Sequence, residues 1–593
     1  MLKAGTNGHD LGSGHWSVAG ESVKVESNSG PTSNSITVRF ANWLQRNYDA
    51  LVPCVVIVLF VQGIVFYQFP TNFDTLDESW EPLKTLKFMA ARGALVHKWG
   101  PLPCLIYGPL YVPWLASWYA TGTLKGMNTD YPYGLAHPFE QQGALIVTAR
   151  LAGLVIALVC LFVLAKGLRQ LTGSGLATLL AMLLCVATGP DLIYKFVATK
   201  PDGLMLAFLA ASMGCYARIV ADGLTYRRAI ALGVLATFSV SCKEQTVPAY
   251  LLPFAGMLMA GLWRSDGPAD RRRFLSQYLT LIAAGAISYV FVNVIYAPSA
   301  YLGHVREVFG PLKDPSIWGS PQWSLAVYLG EALRALIYNL GPGGTIVVAL
   351  ALVVSVVAPV PHRLLLWLPL VSYTAIVVAT AGYMPRYFLS PTNVLVTLPV
   401  ASVLAHLGRR WPSLPRPTHW ATAAALVVAL VLNAWVANFN WARTRALPET
   451  MIQDYCLRSV GRDEIIHTAN MNERQPGADR LSYLGFRVDD RALGELMQAP
   501  AEMPDVILIT GELAGWLADF QRVPNRDKVF TDWSGYKYSE FQGIESLGYR
   551  LVTTVRPDLP AWLRPPWRPW PWYDETAEAS LLVYRRDPKA PQP

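Results

Sequence analysis

About eleven stretches of this chain stay apolar for long enough, roughly 20 residues, to cross a bilayer as helices. The first runs from Leu51 to Phe69, and the others begin near Leu145, Gly175, Gly203, Ala229, Thr246, Gln277, Gly343, Leu364, Tyr387 and Trp420. Stretches 175–190 and 203–217 are short for a span, so they are expected to recruit flanking residues or tilt little. Segment 325–340 is apolar but carries Glu331 and Arg334 three apart on one helical face, which predicts an amphipathic helix lying flat on the membrane surface. Residues 1–40 are rich in Gly, Ser and Asn without an apolar period and read as a disordered tail. After Val436 the pattern changes: residues 440–593 are charged and punctuated by Pro and Gly. Strands are expected at Asp505–Thr510, Leu551–Val555 and Leu581–Tyr584, with a helix over Gly511–Phe520. The predicted fold is an α-helical polytopic membrane domain (41–439) followed by a soluble α/β domain (440–593).

Composition supports this division. Of 593 residues, 52% are hydrophobic and 15% charged, well below the charge content of an ordinary soluble protein. Twenty Trp and 27 Tyr suit aromatic belts at two water interfaces and also surfaces that stack on sugars. The net charge of +8 comes mainly from short arginine clusters between apolar runs, so it reads as topology and not as nucleic-acid binding. Seven scattered cysteines without a C-x-x-C, and nine histidines without an H-x-x-x-H, predict neither a disulfide framework nor a dedicated metal site. No cofactor is expected.

Alternate threading of the spans places Lys166/Arg169, Arg218/Arg227/Arg228, Arg264/Arg271/Arg272/Arg273, His362/Arg363 and Arg409/Arg410/Arg416 on one side, together with the N-terminal tail. That side is expected to be the cytoplasm, with the C-terminal domain outside. The agreement requires 325–340 not to span.

Charge of the other kind gathers on the opposite side. The stretch Asn72–Tyr111 packs Asp74, Asp77, Glu78 and Glu81 just after the first span, then Lys84, Lys87, Arg92 and Lys98, then a proline-broken aromatic segment. Three further groups close or open spans at the same level: Lys200-Pro201-Asp202, Lys243-Glu244 and Pro385-Arg386-Tyr387. Charges beside a membrane are expensive unless something uses them. A carboxylate within reach can take the proton of an acceptor hydroxyl attacking an activated sugar, and cations can take up the charge of a departing phosphate. A lipid-linked phosphate would be gripped at this level, where headgroup meets hydrocarbon. Spacing alone does not choose among the four carboxylates.

At these positions the chain resembles bacterial dolichyl-phosphate-mannose protein mannosyltransferase-type membrane glycosyltransferases of the GT-C class, which include the aminoarabinose lipid A transferase type. Leu76-Asp77-Glu78-Ser79 looks like the D-E pair after the first span, and Lys98-Trp99-Gly100-Pro101-Leu102 resembles K-x-P-P-L with Gly100 in place of proline. Lys200-Pro201-Asp202-Gly203-Leu204 is similar to R-P-D-A-L, Arg386-Tyr387-Phe388-Leu389-Ser390-Pro391 to a stretched R-Y-L-L-P, and Thr148-Ala149-Arg150-Leu151 to A-A-R-L-P. The resemblance covers about residues 45–410 and implies a catalytic outer loop at 70–120. It implies inverting transfer of a sugar from a polyprenyl-phosphate donor to a hydroxyl of a lipid, glycan or protein, in the bacterial inner membrane. Asp77 would be the base, supported by Glu78 or Asp74. Lys98, Lys200, Lys243 and Arg386 would contact donor phosphate, and Asp202 would shape the pocket.

Two other classes fit parts of the pattern. A transporter or flippase of lipid-linked glycans would place its charges near the bilayer midplane with repeat symmetry between halves, and neither is seen here. A glycan polymerase or ligase would share the fold class and differ in acceptor. In the outer domain, Phe530–Tyr536 (F-T-D-W-S-G-Y) faintly resembles the W-W-D-x-G signature of oligosaccharyltransferases but reads as a turn with a packed Trp. The strip Pro560–Tyr573, rich in Pro and Trp, could stack on sugars, sit in headgroups, or pack within the protein.

Overall fold

The computed structural model describes residues 80–91, 100–129, 132–187, 201–295, 298–309, 325–380, 389–411, 420–432, 448–469, 481–489, 503–510, 544–556 and 580–587, with a few isolated positions between them. The first apolar run, the Phe530–Tyr536 and Pro560–Tyr573 segments, and almost all of Gly511–Phe520 lie outside the described residues.

Helices dominate as far as residue 432. In chain order they are α1 (Trp80–Ala90), α2 (Leu102–Ala120), α3 (Pro138–Thr172), α4 (Gly175–Met182, continued by a π turn to Ala187), α5 (Pro201–Asp222) and α6 (Tyr226–Cys242). A 3₁₀ turn, Glu244–Thr246, leads into α7 (Pro248–Arg264) and α8 (Pro268–Tyr289), which runs on as a π turn, Val290–Val294. There follow α9 (Pro298–Phe309), α10 (Leu325–Val357), α11 (Arg363–Thr380), α12 (Thr392–Leu395), α13 (Thr397–Arg410) and α14 (Trp420–Leu432).

Among the described residues, four helical stretches are long and apolar enough to cross a membrane: Glu140–Thr172, Pro201–Asp222, Glu244–Arg264 and Pro268–Val294. Gly175–Val186, Arg363–Ala379 and Trp420–Leu432 are shorter apolar helices. The protein is a helical membrane protein. The short run at 203–217 gains length at both ends, becoming the 22 residues of α5. That helix is central, with 89% of its apolar window buried, whereas the corresponding window of α8 is only 17% buried and faces outward.

The segment expected to lie flat does not continue the axis of the span after it. Within α10, Gly341 takes φ 70° and ψ 167°, a left-handed φ that glycine tolerates. The arm Ala332–Gly341 is bent 107° from Gly343–Val357. By contrast, the proline-broken segment of the Asn72–Tyr111 stretch is helical. Pro109 and Pro113 lie inside the 19-residue α2, where the buried neighbours Tyr107, Tyr111 and Leu115 hold it in place. Packing against α1 and α3 overrides the local cost of the two prolines.

Bundle helices meet through small residues, as expected where lipid removes the hydrophobic drive between them. A Cβ on Gly167 of α3 would lie 2.1 Å from the Gly214 carbonyl oxygen of α5. Gly233 of α6 leaves only 2.5 Å to the Leu281 carbonyl of α8, and one turn on Thr237 donates its hydroxyl to the Gly285 carbonyl at 2.9 Å.

The arginine clusters come together at one end. Arg409 of α13 donates to the Thr172 carbonyl ending α3 at 3.2 Å, and Arg228 pairs with Asp222 at 2.7 Å and donates to the Gly223 carbonyl. Arg363 donates to the Ser355 carbonyl at 2.9 Å, Arg264 lies 3.5 Å from His362, and Tyr226 donates to Ser276 at 3.0 Å. Cations at helix C-termini complement the carbonyl ends of the helix dipoles.

The C-terminal part holds α15 (Pro448–Ser459) and a five-stranded sheet: β1 (Ile465–Ala469), β2 (Arg487–Val488), β3 (Val506–Thr510), β4 (Tyr549–Val555) and β5 (Leu581–Arg586). Their order is β2-β1-β3-β5-β4, with β1 parallel to β2 and β3, and β5 antiparallel to β3 and β4. The three strands read from sequence are present; β1 and β2 were not anticipated. Alternation along β3 divides the core. Val506 and Leu508 meet Met451, Ile452 and Cys456 of α15, while Ile507 and Ile509 meet Leu496, Leu513 and Tyr549.

A buried histidine interrupts that core. His467 of β1 is buried, and its Nδ1 lies 3.2 Å from the Asp489 carbonyl, which can only accept, so Nδ1 carries the proton. Nε2 is buried with no hydrogen-bond partner among the described residues. Burial lowers the His467 pKa below its ordinary value, against a smaller upward pull from the Asp489 carbonyl and charge. The unfolded chain therefore takes up this proton first as pH falls. Stability linked to His467 is full above about pH 6.5 and declines below it, toward the lowered folded value. Hydrogen exchange of β1 and β3, corrected for intrinsic rates, is expected to show falling protection from pH 7.5 to 5. His467→Leu should remove most of that slope.

Candidate active site

Opposite the arginine end, the bundle buries a carboxylate and an ammonium together. Asp202 is the second residue of α5, where a negative charge meets the positive end of the helix dipole. Lys243 follows the last residue of α6 with an extended backbone (φ −160°, ψ 120°) that turns its side chain across the bundle. Lys243 Nζ lies 3.0 Å from Asp202 Oδ1, with side-chain exposures of only 5% and 12%. Two charges taken out of water at this depth are costly unless they are paired and hydrogen-bonded. Tyr373 of α11, fully buried, lies within electrostatic range of Asp202.

The backbone carrying Lys243 is braced from several sides. Ser239 donates its hydroxyl to the Met205 carbonyl of α5 at 2.9 Å and reaches Thr246 at 3.3 Å; Thr246 in turn donates to the Lys243 carbonyl. Asn293, in the π turn ending α8, donates Nδ2–H to Ser241 Oγ at 2.6 Å and to the Tyr289 carbonyl at 3.1 Å. Gly100, just before α2, presses against the same turn: a Cβ there would lie 1.9 Å from the Ser241 carbonyl oxygen. Glycine at this position thus has a steric cause. Any side chain at this position would displace the end of α6.

Polar capacity remains at this end. Gln245 in the 3₁₀ turn and Asn393 in α12 have buried amide atoms with no hydrogen-bond partner among the described residues, and α12 packs on α5 and α11. Glu244, half-buried, lies within electrostatic range of Tyr289, whose ring meets Tyr301 edge-on at 6.1 Å. Along α3, Arg150 is buried between two contacts with α2. On one side Trp114 donates to Thr148 Oγ1 at 3.0 Å, and on the other the Tyr107 hydroxyl faces Gly153.

Of the site residues read from sequence, Asp202 and Lys243 are brought together. Asp74, Asp77, Glu78, Lys98, Lys200 and Arg386 lie outside the described residues. Asn293, Ser241 and Tyr373 were not anticipated. Asn293 had a signal, a polar residue inside the apolar run that begins near Gln277. Among the described residues no three His, Cys, Asp or Glu side chains cluster to hold a metal ion.

Breaking a buried pair from one side strands the other charge, at a cost of about 3–5 kcal/mol. Asp202→Asn and Lys243→Gln are each expected to lower the thermal unfolding midpoint in detergent by several degrees, and the double variant by less than the sum. Additive losses would show that the two residues act independently.

No protein-family model matches the chain, and no curated protein matches it in sequence. Among solved structures it is similar to the Archaeoglobus fulgidus oligosaccharyltransferase in complex with Zn and sulfate, with a TM-score of 0.46 and 10% identity over 79% of this chain and 70% of that one. It is also similar to ArnT from Cupriavidus metallidurans bound to undecaprenyl phosphate, with a TM-score of 0.42 and 10% identity over 92% of this chain and 99% of that one. A further match is the Archaeoglobus fulgidus oligosaccharyltransferase tethered to an acceptor peptide containing the NVT sequon, with a TM-score of 0.37 and 9% identity over 84% of this chain and 72% of that one.

Proposed function

We propose that this protein is an integral membrane glycosyltransferase that moves a sugar from a polyprenyl-phosphate donor to a hydroxyl acceptor on the extracytoplasmic face of the bacterial inner membrane. The observation that carries the reading is the buried Asp202–Lys243 pair, at the end of the bundle opposite the arginines, with Gly100 of the outer loop packed against Ser241. A transporter would instead place its charges near mid-bilayer.

In the proposed reaction the acceptor O–H gives its proton to Asp77 as its oxygen bonds to the anomeric carbon. The bond from that carbon to the phosphate oxygen breaks, and its electron pair leaves on the polyprenyl phosphate. Glu78 and Asp74 support the base. Lys98, Lys200 and Arg386 take up the charge on the departing phosphate, and Lys243 adds its own where Asp202 yields the ammonium to a more highly charged partner. Asp202 shapes the pocket by holding Lys243 until donor arrives. A polyprenyl phosphate is the class of lipid that ArnT carries in its solved complex.

The test is turnover by purified protein in detergent, where transport has no meaning, read as release of polyprenyl phosphate from a panel of polyprenyl-phosphate-linked sugars with hydroxyl acceptors. Asp77→Asn is expected to lower release by about 10²–10⁴-fold, the usual worth of a general base, with unchanged expression and unfolding midpoint. Undiminished release would remove Asp77 as the base, and no release by wild-type protein with any member of the panel would count against the transferase.

A further inference from the structure

The arginine end carries a surface that the bundle leaves unused. Arg228, Arg363 and Arg409 are spent on helix ends, but Arg271, Arg272 and Arg273 in the first turns of α8 are exposed, and none forms an ion pair among the described residues. Arg227, exposed at the start of α6, adds a fourth cation, against exposed Asp266 and Asp270. The Tyr226 hydroxyl, donating to Ser276 at 3.0 Å, ties the start of α6 to this stretch of α8.

Beside Arg272 a shallow, open depression of roughly 470 Å³ runs along one face of α8, formed by Arg272, Leu275, Ser276, Leu279, Thr280 and Ala283, all of that one helix. The order is amphiphilic: a guanidinium at one end, then the hydroxyls of Ser276 and Thr280 interleaved with Leu275, Leu279 and Ala283. Thr280 donates its hydroxyl to the Ser276 carbonyl, so it is already used. Ser276 Oγ accepts from Tyr226 and keeps its own hydroxyl proton to donate. Leu275 and Leu279 are 38% and 65% exposed, where a span in a bilayer meets acyl chains.

We infer that this groove binds an anionic glycerophospholipid of the surrounding bilayer, with its phosphate at Arg272, an ester carbonyl at the Ser276 hydroxyl and one acyl chain along Leu275, Leu279 and Ala283. The excess of cations favours an anionic headgroup over a zwitterionic one. The groove lies at the end away from the Asp202–Lys243 pair, which separates this lipid from the proposed donor and makes it a lasting neighbour of the protein.

Native mass spectrometry of full-length protein, delipidated in detergent and mixed with chain-matched phosphatidylglycerol and phosphatidylcholine, tests this. Phosphatidylglycerol adducts are expected to exceed phosphatidylcholine adducts by about fivefold, the effect of one arginine at an anionic headgroup. Arg272→Gln should bring the two to parity, and Leu279→Trp, which fills the groove, should reduce both. Arg306→Gln, at an exposed position of α9, should leave the preference intact. Equal retention of the two lipids by the wild type, or an undiminished preference in Arg272→Gln, would overturn the site. So would displacement of the adduct by equimolar undecaprenyl phosphate, which would make the groove a carrier-lipid site.

Discussion

An aspartate and a lysine held together away from water, inside a helical bundle, constrain how this structure can be built. Neither charge is affordable alone at that depth, and their attraction is useful only at hydrogen-bonding distance. The start of α5 and the end of α6 must therefore stay in register to within a few tenths of an ångström. The surrounding contacts supply that register: Ser239 grips the Met205 carbonyl, Asn293 grips Ser241, and Gly100, just before α2, touches the same turn. Glycines at the α3–α5 and α6–α8 crossings bring backbones close enough for these short polar side chains to reach across.

The two ends of the bundle handle charge in opposite ways. At one end, arginines cap helix C-termini or project outward, where water and headgroups solvate them at little cost. At the other, charged and amide groups are buried, and some amides have no hydrogen-bond partner among the described residues. Solvated arginines are explained by topology. Buried polar capacity is not, and a phosphate entering from the lipid, together with a sugar rich in hydroxyls, would use both the ammonium and the amides. This asymmetry is the physical basis for placing the proposed chemistry at the Lys243 end.

Much of this arrangement was legible in the residues. The arginine clusters predicted one common end, and Asp202 and Lys243 were placed at one level; the Glu331–Arg334 spacing predicted a flat surface helix at 325–340, where the structure shows a 107° bend between Ala332–Gly341 and the next helix. Spacing could not show that Asp202 and Lys243 pair, because 41 residues separate them and the contact depends on how α5 and α6 cross. Gly100 read as a departure from a pattern, and only the nearness of the Ser241 carbonyl explains it. The helix through Pro109 and Pro113 was hidden because proline argues locally for a break, while the neighbours that hold it are distant in sequence. In the C-terminal sheet, β1 is hard to read because a buried histidine interrupts its apolar run.

A density map of the protein with bound polyprenyl phosphate tests the placement of the site most directly. The phosphate should lie within contact distance of Lys243 Nζ, beside Asp202 and the Gly100–Ser241 contact. A phosphate bound instead at the arginine end, with the Asp202–Lys243 pair dry and unchanged, would contradict it.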